Sequence, residues 1–417
     1  MRRAGAVIAV MLAATTAAGH GLPPMTNGVY FAADDPNSLY VATTFGFLIS
    51  HDAGCTFQWV CEASVGYKDP YEPRFAVAHD GTIFATSIKG LRVSRDGGCS
   101  FATASAARFV AAVAIGPTGE VMIATSEDDG SDDVFVSTDN AMTFAPSALP
   151  GHQWTSVAAA PSDPQRAYAL GRDVTSAHLQ RRDASGWTEV AMAGVQVGPS
   201  PTVTIGAVDP TNRDVLYLVS TTPAGDLLYR SSDGGATFAQ VFATGHIHDV
   251  LVRDAQTTYV TTMVSAGSVL VGGPAYRSTN GGLTFDPLAT APELLCLGVA
   301  PDGALVGCGH NWEPDFMAIA RSTDGDAWTK VFRFVEFAGA LDCPASTAVV
   351  CEQSAADVVA MFDATGPVCG AHVAPDAGPD VQQGPGDKPP GCCDAGDAPS
   401  LVWALAVGGV LVRRRRR

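Results

Sequence analysis

The sequence predicts an all-β protein, a seven- or eight-bladed β-propeller of four-stranded antiparallel blades. Three observations carry that prediction. An octapeptide of the form Ser-x-Asp-x-Gly-x-Thr-Phe recurs about every 44 residues along the 417-residue chain, so one supersecondary unit is repeated. Two short apolar runs, separated by a Gly, Pro, Asn or Asp turn, precede each copy and read as a β-hairpin. The first run of each pair is crowded with Ala and Gly, which suits an innermost strand beside a central channel.

The clear copies start at Ser50, Ser94, Ser137, Ser231 and Ser278, and put Asp52, Asp96, Asp139, Asp233 and Asn280 at the third position. Worn copies surround Asp183, ending at Trp187, and Asp324, ending at Trp328. A Ser hydroxyl and an Asp carboxylate can accept bonds from backbone N–H groups two residues on, closing a tight turn. Gly supplies a positive φ without steric cost, and the closing aromatic goes inward. The phrase is therefore a strand–turn–strand hinge. Hairpins before the boxes include 75–86, 110–124, 203–219 and 295–307. A further inner hairpin is expected from Gly339 through Leu341 to Cys343 and from Ala348 to Cys351, reaching Phe362 without a box, and would make an eighth module.

The octapeptide resembles the Asp-box (BNR) repeat of sialidases and other β-propellers, and the likeness extends over the propeller assigned to residues 28–366. In that family the box lies on the face away from the active site. The resemblance therefore directs attention to the loops between blades and between second and third strands. A true sialidase would need an Arg-Ile-Pro motif, an Arg triad, a Tyr nucleophile with its Glu, and an Asp acid/base. No Arg-Ile-Pro occurs; Arg74-Phe75-Ala76 is the nearest sequence. Arg230, Arg277 and Arg321 each directly precede a box Ser, which places them at blade edges.

On the loop side, the segment 62–74 offers Tyr67, Tyr71, Glu72 and Arg74. The segment 310–315 offers Trp312, Glu313 and Asp315, and shorter stretches offer Trp154 and His248. Aromatic rings that stack on sugars and carboxylates that bond hydroxyls make these candidate ligand contacts. The competing reading is loop residues anchored by their own rings. Glu72, Glu313 and Asp315 are the first choices for a two-carboxylate glycosidase, since such pairs are set by distance in the fold. The acidic run 127–133 contains Asp128, Asp129, Asp132 and Asp133; it could offer oxygen ligands to calcium but lacks the EF-hand length and closing Glu. A solvated acidic loop is the alternative, and no other cofactor is implied.

Residues 1–19 read as a secretory signal peptide, with Arg2 and Arg3, an apolar stretch and small residues for cleavage. Residues 374–391 form a Pro/Gly/Asp-rich linker. Residues 391–417 hold Cys392 and Cys393, a short apolar run and five terminal arginines. This tail resembles the MYXO-CTERM sorting signal of myxobacterial surface proteins. That likeness implies cleavage near Cys392 by a sorting protease and anchoring at the cell surface or outer membrane of a Gram-negative bacterium; a plain single-span tail is the alternative. Ten cysteines fit an exported chain. Spacing suggests the pairs Cys55–Cys61, Cys296–Cys308 and Cys343–Cys351, leaving Cys99 and Cys369, although sequence cannot fix connectivity. With a net charge of −17 the chain lacks the basic footprint that nucleic acid requires.

Two functions follow as expectations. The first is a monomeric, non-catalytic surface propeller that binds a protein, peptide or glycan through its loop face and touches membrane only through its anchor. The second is a displayed glycoside hydrolase.

Overall fold

Each octapeptide closes the third strand of a blade onto the fourth. In the copy that starts at Ser231, the Ser231 Oγ donates to Asp233 Oδ1 (2.8 Å) and accepts the Gly235 N–H (2.9 Å). Asp233 accepts the Thr237 N–H (2.9 Å) and the Thr237 hydroxyl (2.6 Å). The boxes at Asp52, Asp96 and Asp139 repeat the pattern, and Asn280 reproduces it with its amide donating to Thr284. The main acceptor reach is thus four residues rather than two. The worn copies are shorter: Asp183 caps Ser185 in a two-residue hairpin, and Asp324 caps the N–H groups of Asp326 and Ala327.

A computed structural model describes residues 23–67, 71–104, 108–127, 130–198, 202–267 and 269–368, without side chains for 345–349 and 353. The leader, the linker, the tail with Cys392, Cys369, Asp128 and Asp129 lie outside the described residues. Seven antiparallel sheets follow one another: blade 1 (26–60), blade 2 (75–103), blade 3 (110–146), blade 4 (153–190), blade 5 (202–244), blade 6 (246–287) and blade 7 (296–332). Every blade is a four-stranded meander of consecutive residues; blade 6 adds an arm, Val269–Gly272, paired to an extended second strand. First strands of successive blades touch all the way round, blade 7 against blade 1 included.

A separate hydrophobic core fills each gap between blades. Each box aromatic enters the gap on the side of the preceding blade: Phe57, Phe101, Phe144, Trp187, Phe238, Phe285 and Trp328, in chain order. The box Gly faces the same way. At Gly282, with φ of +77°, a Cβ would lie 1.9 Å from the Tyr217 hydroxyl of blade 5. One octapeptide thus sets both a turn and a blade-to-blade contact.

The expected eighth module is not a blade. After a bridge from Ala340 to Trp59, the chain forms helix Ala345–Met361. The segment 352–360 carries no Gly, Pro or Asn to turn a hairpin, and Cys351, Ala355, Val358, Val359 and Phe362 recur at helical spacing. Those same residues pack on the core between blades 7 and 1. The disulfides differ from expectation accordingly. Cys296–Cys308 forms across one hairpin, but Cys61 joins Cys351 and Cys99 joins Cys343, at sequence separations of 290 and 244. Cys55 is also disulfide-bonded, though not to Cys61. The helix brings Cys351 to blade 1, which local spacing could not show. Among the described residues no helix is long and apolar enough to cross a membrane.

Candidate functional site

In a meander, alternate connections lie at opposite ends of the sheet. The box turns share one face with the turns between first and second strands. The loops between blades, and between second and third strands, share the other. On that loop face the first strands do not run regularly. The ladder skips one residue in five of them: Asn27, Ala111, Thr155, Gly206 and His248. A bulge re-aims the side chain of the residue it bypasses.

Asn27 and His248 both line a cavity of about 670 Å³ along the propeller axis. Its wall is drawn from blades 1, 2, 3, 5, 6 and 7 and includes Tyr30, Glu72, Arg74 and Asp249. Asn27 Nδ2 donates to Glu72 Oε2 at 3.3 Å. Asp249 accepts the Val250 N–H at 2.8 Å and the Leu297 N–H at 3.3 Å, so its carboxylate ties the bulge of blade 6 to blade 7. His248 bonds the Leu295 carbonyl, while its Nδ1 is buried and has no partner. Tyr30 packs over Gly28, where a Cβ would lie 2.6 Å from the phenol oxygen.

Electrostatics in the channel follow from burial. Burial raises the Asp249 carboxyl above the usual carboxylate range and lowers the His248 imidazole. Burial, reinforced by the Asp249 charge, pushes Tyr30 up to about 12. Glu72 and Arg74 are exposed at the same mouth. The channel therefore presents one free imidazole nitrogen, a phenol, and an acid and a base open to solvent.

Of the sequence candidates, Glu72, Arg74 and His248 meet in this channel. Glu313 and Asp315 do not line it. They sit in the blade 7 loop, where Asp315 accepts the Glu293 N–H at 3.0 Å and burial raises both Asp315 and Glu293. The aromatic candidates are anchors rather than platforms. Trp154 is fully buried, Tyr67 is 8% exposed, and Trp312, 7% exposed, stacks on His310 at 4.6 Å. The Tyr71 hydroxyl is held by Thr86 at 2.6 Å. Asp132 and Asp133 are buried, and their oxygens accept backbone N–H groups of the loop, including those of Glu127, Ala148 and Leu149. The arginines ahead of the boxes stay on the box face, where Arg277 pairs with Asp326 and Arg321 with Asp302.

Sequence reading missed Asn27, Tyr30 and Asp249. A signal was present in part, because His248 and Asp249 are ionisable residues in a first strand whose counterparts are mostly Ala, Gly and Val.

No family model and no curated protein matches the chain. Its fold is similar to solved propellers at low identity. An ancestral GH74 enzyme aligns with 16% identity and a TM-score of 0.53, covering 75% of this chain and 47% of that one. A GH74 enzyme of Niastella koreensis aligns with 16% identity and a TM-score of 0.45, covering 73% and 65%. YCF48 from Cyanidioschyzon merolae aligns with 15% identity and a TM-score of 0.46, covering 69% and 93%. The chain spans about half to two thirds of the length of the two GH74 structures. The seven sheets define the class, a seven-bladed β-propeller of four-stranded antiparallel sheets, and the likeness to the ancestral GH74 enzyme agrees with it in fold.

Proposed function

We propose that this propeller is a binding protein whose loop face takes a peptide or protein segment, with a charged group of the ligand seated in the channel mouth. The observation that carries the reading is the surface around the channel. Ile88, Val174 and Val197 on loops of that face, and Val264 and Leu270 on the β-arm of blade 6, are exposed apolar residues, Val174 at 86%. Among the described residues no Phe, Tyr or Trp ring is exposed. Sugar recognition relies on an exposed ring for stacking, whereas aliphatic tips around a charged centre suit a polypeptide. The proposal includes export, directed by the leader, and anchoring at the cell surface through a MYXO-CTERM-like tail, with Asp-box turns as the scaffold.

The test is selection from a random peptide-display library against the wild-type protein and against a Glu72→Lys/Arg74→Glu variant of equal melting temperature. Enrichment of charged peptides by the wild type alone supports the reading. Equal enrichment by both proteins overturns it, as does no peptide enrichment alongside binding on a glycan array. One observation favours a second reading: Asp249, raised by burial, shares the channel with Glu72, as an acid and a base would in a glycosidase. Glycan hydrolysis abolished by Glu72→Gln and by Asp249→Asn would replace binding with catalysis.

A further inference from the structure

Blade 4 carries a second polar cluster on the loop face, and none of its members lines the channel. His152 immediately precedes the first strand (Gln153–Ala159), and Asp173 follows the second (Ala167–Arg172). His178 lies in the third (Ala177–Asp183) and Glu189 in the fourth (Gly186–Val190). The two imidazoles are stacked, with centroids 3.8 Å apart and planes 5° from parallel. His178 Nε2 lies 3.0 Å from Asp173 Oδ2, and His178 Nδ1 lies 3.0 Å from Glu189 Oε1. One donor atom each from His152, Asp173 and His178 falls within 4.8 Å of the others.

The backbone makes room for this arrangement. Gly171 stands opposite both Trp154 and His178 in the ladder. A Cβ there would lie 2.8 Å from the Trp154 ring and 3.1 Å from His152 Cβ. Trp154, fully buried, meets the His152 ring edge-on at 5.6 Å. Three of the four side chains thus stand on or beside rigid strands around a space that only glycine leaves open. Asp173 is fixed through its own loop, accepting the N–H groups of Thr175 and Ser176.

We propose that His152, Asp173 and His178 bind a divalent transition-metal ion such as zinc or nickel. The donor set is two imidazoles and a carboxylate, which suits ions of that group rather than magnesium or calcium. Glu189 supplies what such sites need behind a ligand: it accepts from Nδ1 of His178 and so leaves Nε2 as the metal-binding nitrogen. The ion takes the place of the proton now shared between Nε2 and Asp173. Asp173 offers the Oδ2 that its loop does not use, and side-chain rotation of half-buried His152 brings the third donor in, onto bonds of about 2.0–2.2 Å. Three protein ligands leave a position open toward the loop face.

The experiment is calorimetric titration of the full-length protein with Zn²⁺ and with Ni²⁺, repeated on His178→Ala, His152→Gln and Glu189→Gln. Circular dichroism melts without metal show whether each variant is folded. The expected result is one ion per chain at this site with low-micromolar affinity. Losing either His should weaken binding at least tenfold, and Glu189→Gln should weaken it about tenfold. His152→Gln leaves the Asp173 loop and the His178 ion pairs intact, so it keeps the test decisive should His178→Ala not fold. Wild-type affinity weaker than about 100 μM, or binding unchanged in folded His152→Gln, overturns the proposal.

Discussion

The two faces of this propeller are built by opposite rules. On the box face, one eight-residue phrase is used again and again, and its polar atoms are consumed by the turn itself: Ser231, Asp233 and Thr237 bond one another and the local backbone. On the loop face the connections diverge: among the described residues three turns between second and third strands share a Ser or Thr cap, at Thr43, Ser87 and Thr222, and the others differ from these. One holds a short helix (Glu62–Val65), one a β-arm and one a stacked histidine pair. Polar atoms there remain available, as His248 Nδ1 does. The difference teaches that repetition marks where stability is made, while departures from the repeat mark where binding chemistry is free to sit.

Substitutions on each face can sharpen or break that contrast. The largest effect is expected at Gly282, where alanine combines a positive φ with collision against Tyr217. Gly282→Ala should lower unfolding free energy by about 3 kcal/mol, measured by urea denaturation. A change below 1 kcal/mol would show that the box Gly does not set blade spacing. Next is Ser231→Ala, which strands the buried Gly235 N–H and should cost about 1–3 kcal/mol in the same assay.

Acid titration of stability separates the faces by sign. The bonds from Thr237 and Ser231 outweigh partial burial and hold Asp233 down at about 2 from its ordinary 3.8. Its stabilisation is present above 3.8 and lost as pH falls toward 2. Asp249, raised by burial, behaves oppositely: its contribution is complete below 3.8 and declines as pH rises through its folded value. Melting temperature against pH should therefore lose part of its acid-side fall in Asp233→Asn and part of the decline above 3.8 in Asp249→Asn. Identical profiles for the two variants would erase the distinction. The smallest effect on stability belongs to Glu72→Gln and Arg74→Ala, exposed at the channel mouth. Both should unfold within about 0.5 kcal/mol of wild type, and a larger loss would make them scaffold instead of site.

Most of the fold was legible because the box couples three local demands within eight residues: a cap, a positive φ and an inward ring. Even the worn copies at Asp183 and Asp324 still turn a blade, since Trp187 and Trp328 fill the gap that Phe fills elsewhere. The C-terminal segment misled because Ala348–Cys351 is a short apolar run, and such a run reads equally as strand or buried helix. The site was legible only in part. Glu72, Arg74 and His248 stood out as charged or polar residues in loops or an inner strand. Tyr30 and Asn27 did not, because only ring closure brings blade 1 beside blades 2, 6 and 7 around one cavity. Trp154 and Trp312 looked like sugar platforms, but exposure of a ring is decided by packing that sequence spacing does not encode.

The long-range cystine links at Cys61–Cys351 and Cys99–Cys343 give the disc a seam locked by covalent bonds instead of an exchanged strand. A protease that nicks one loop between Cys99 and Cys343 leaves both fragments tethered. As long as the two cystines stay oxidised, a disc nicked in this way keeps all seven sectors in place.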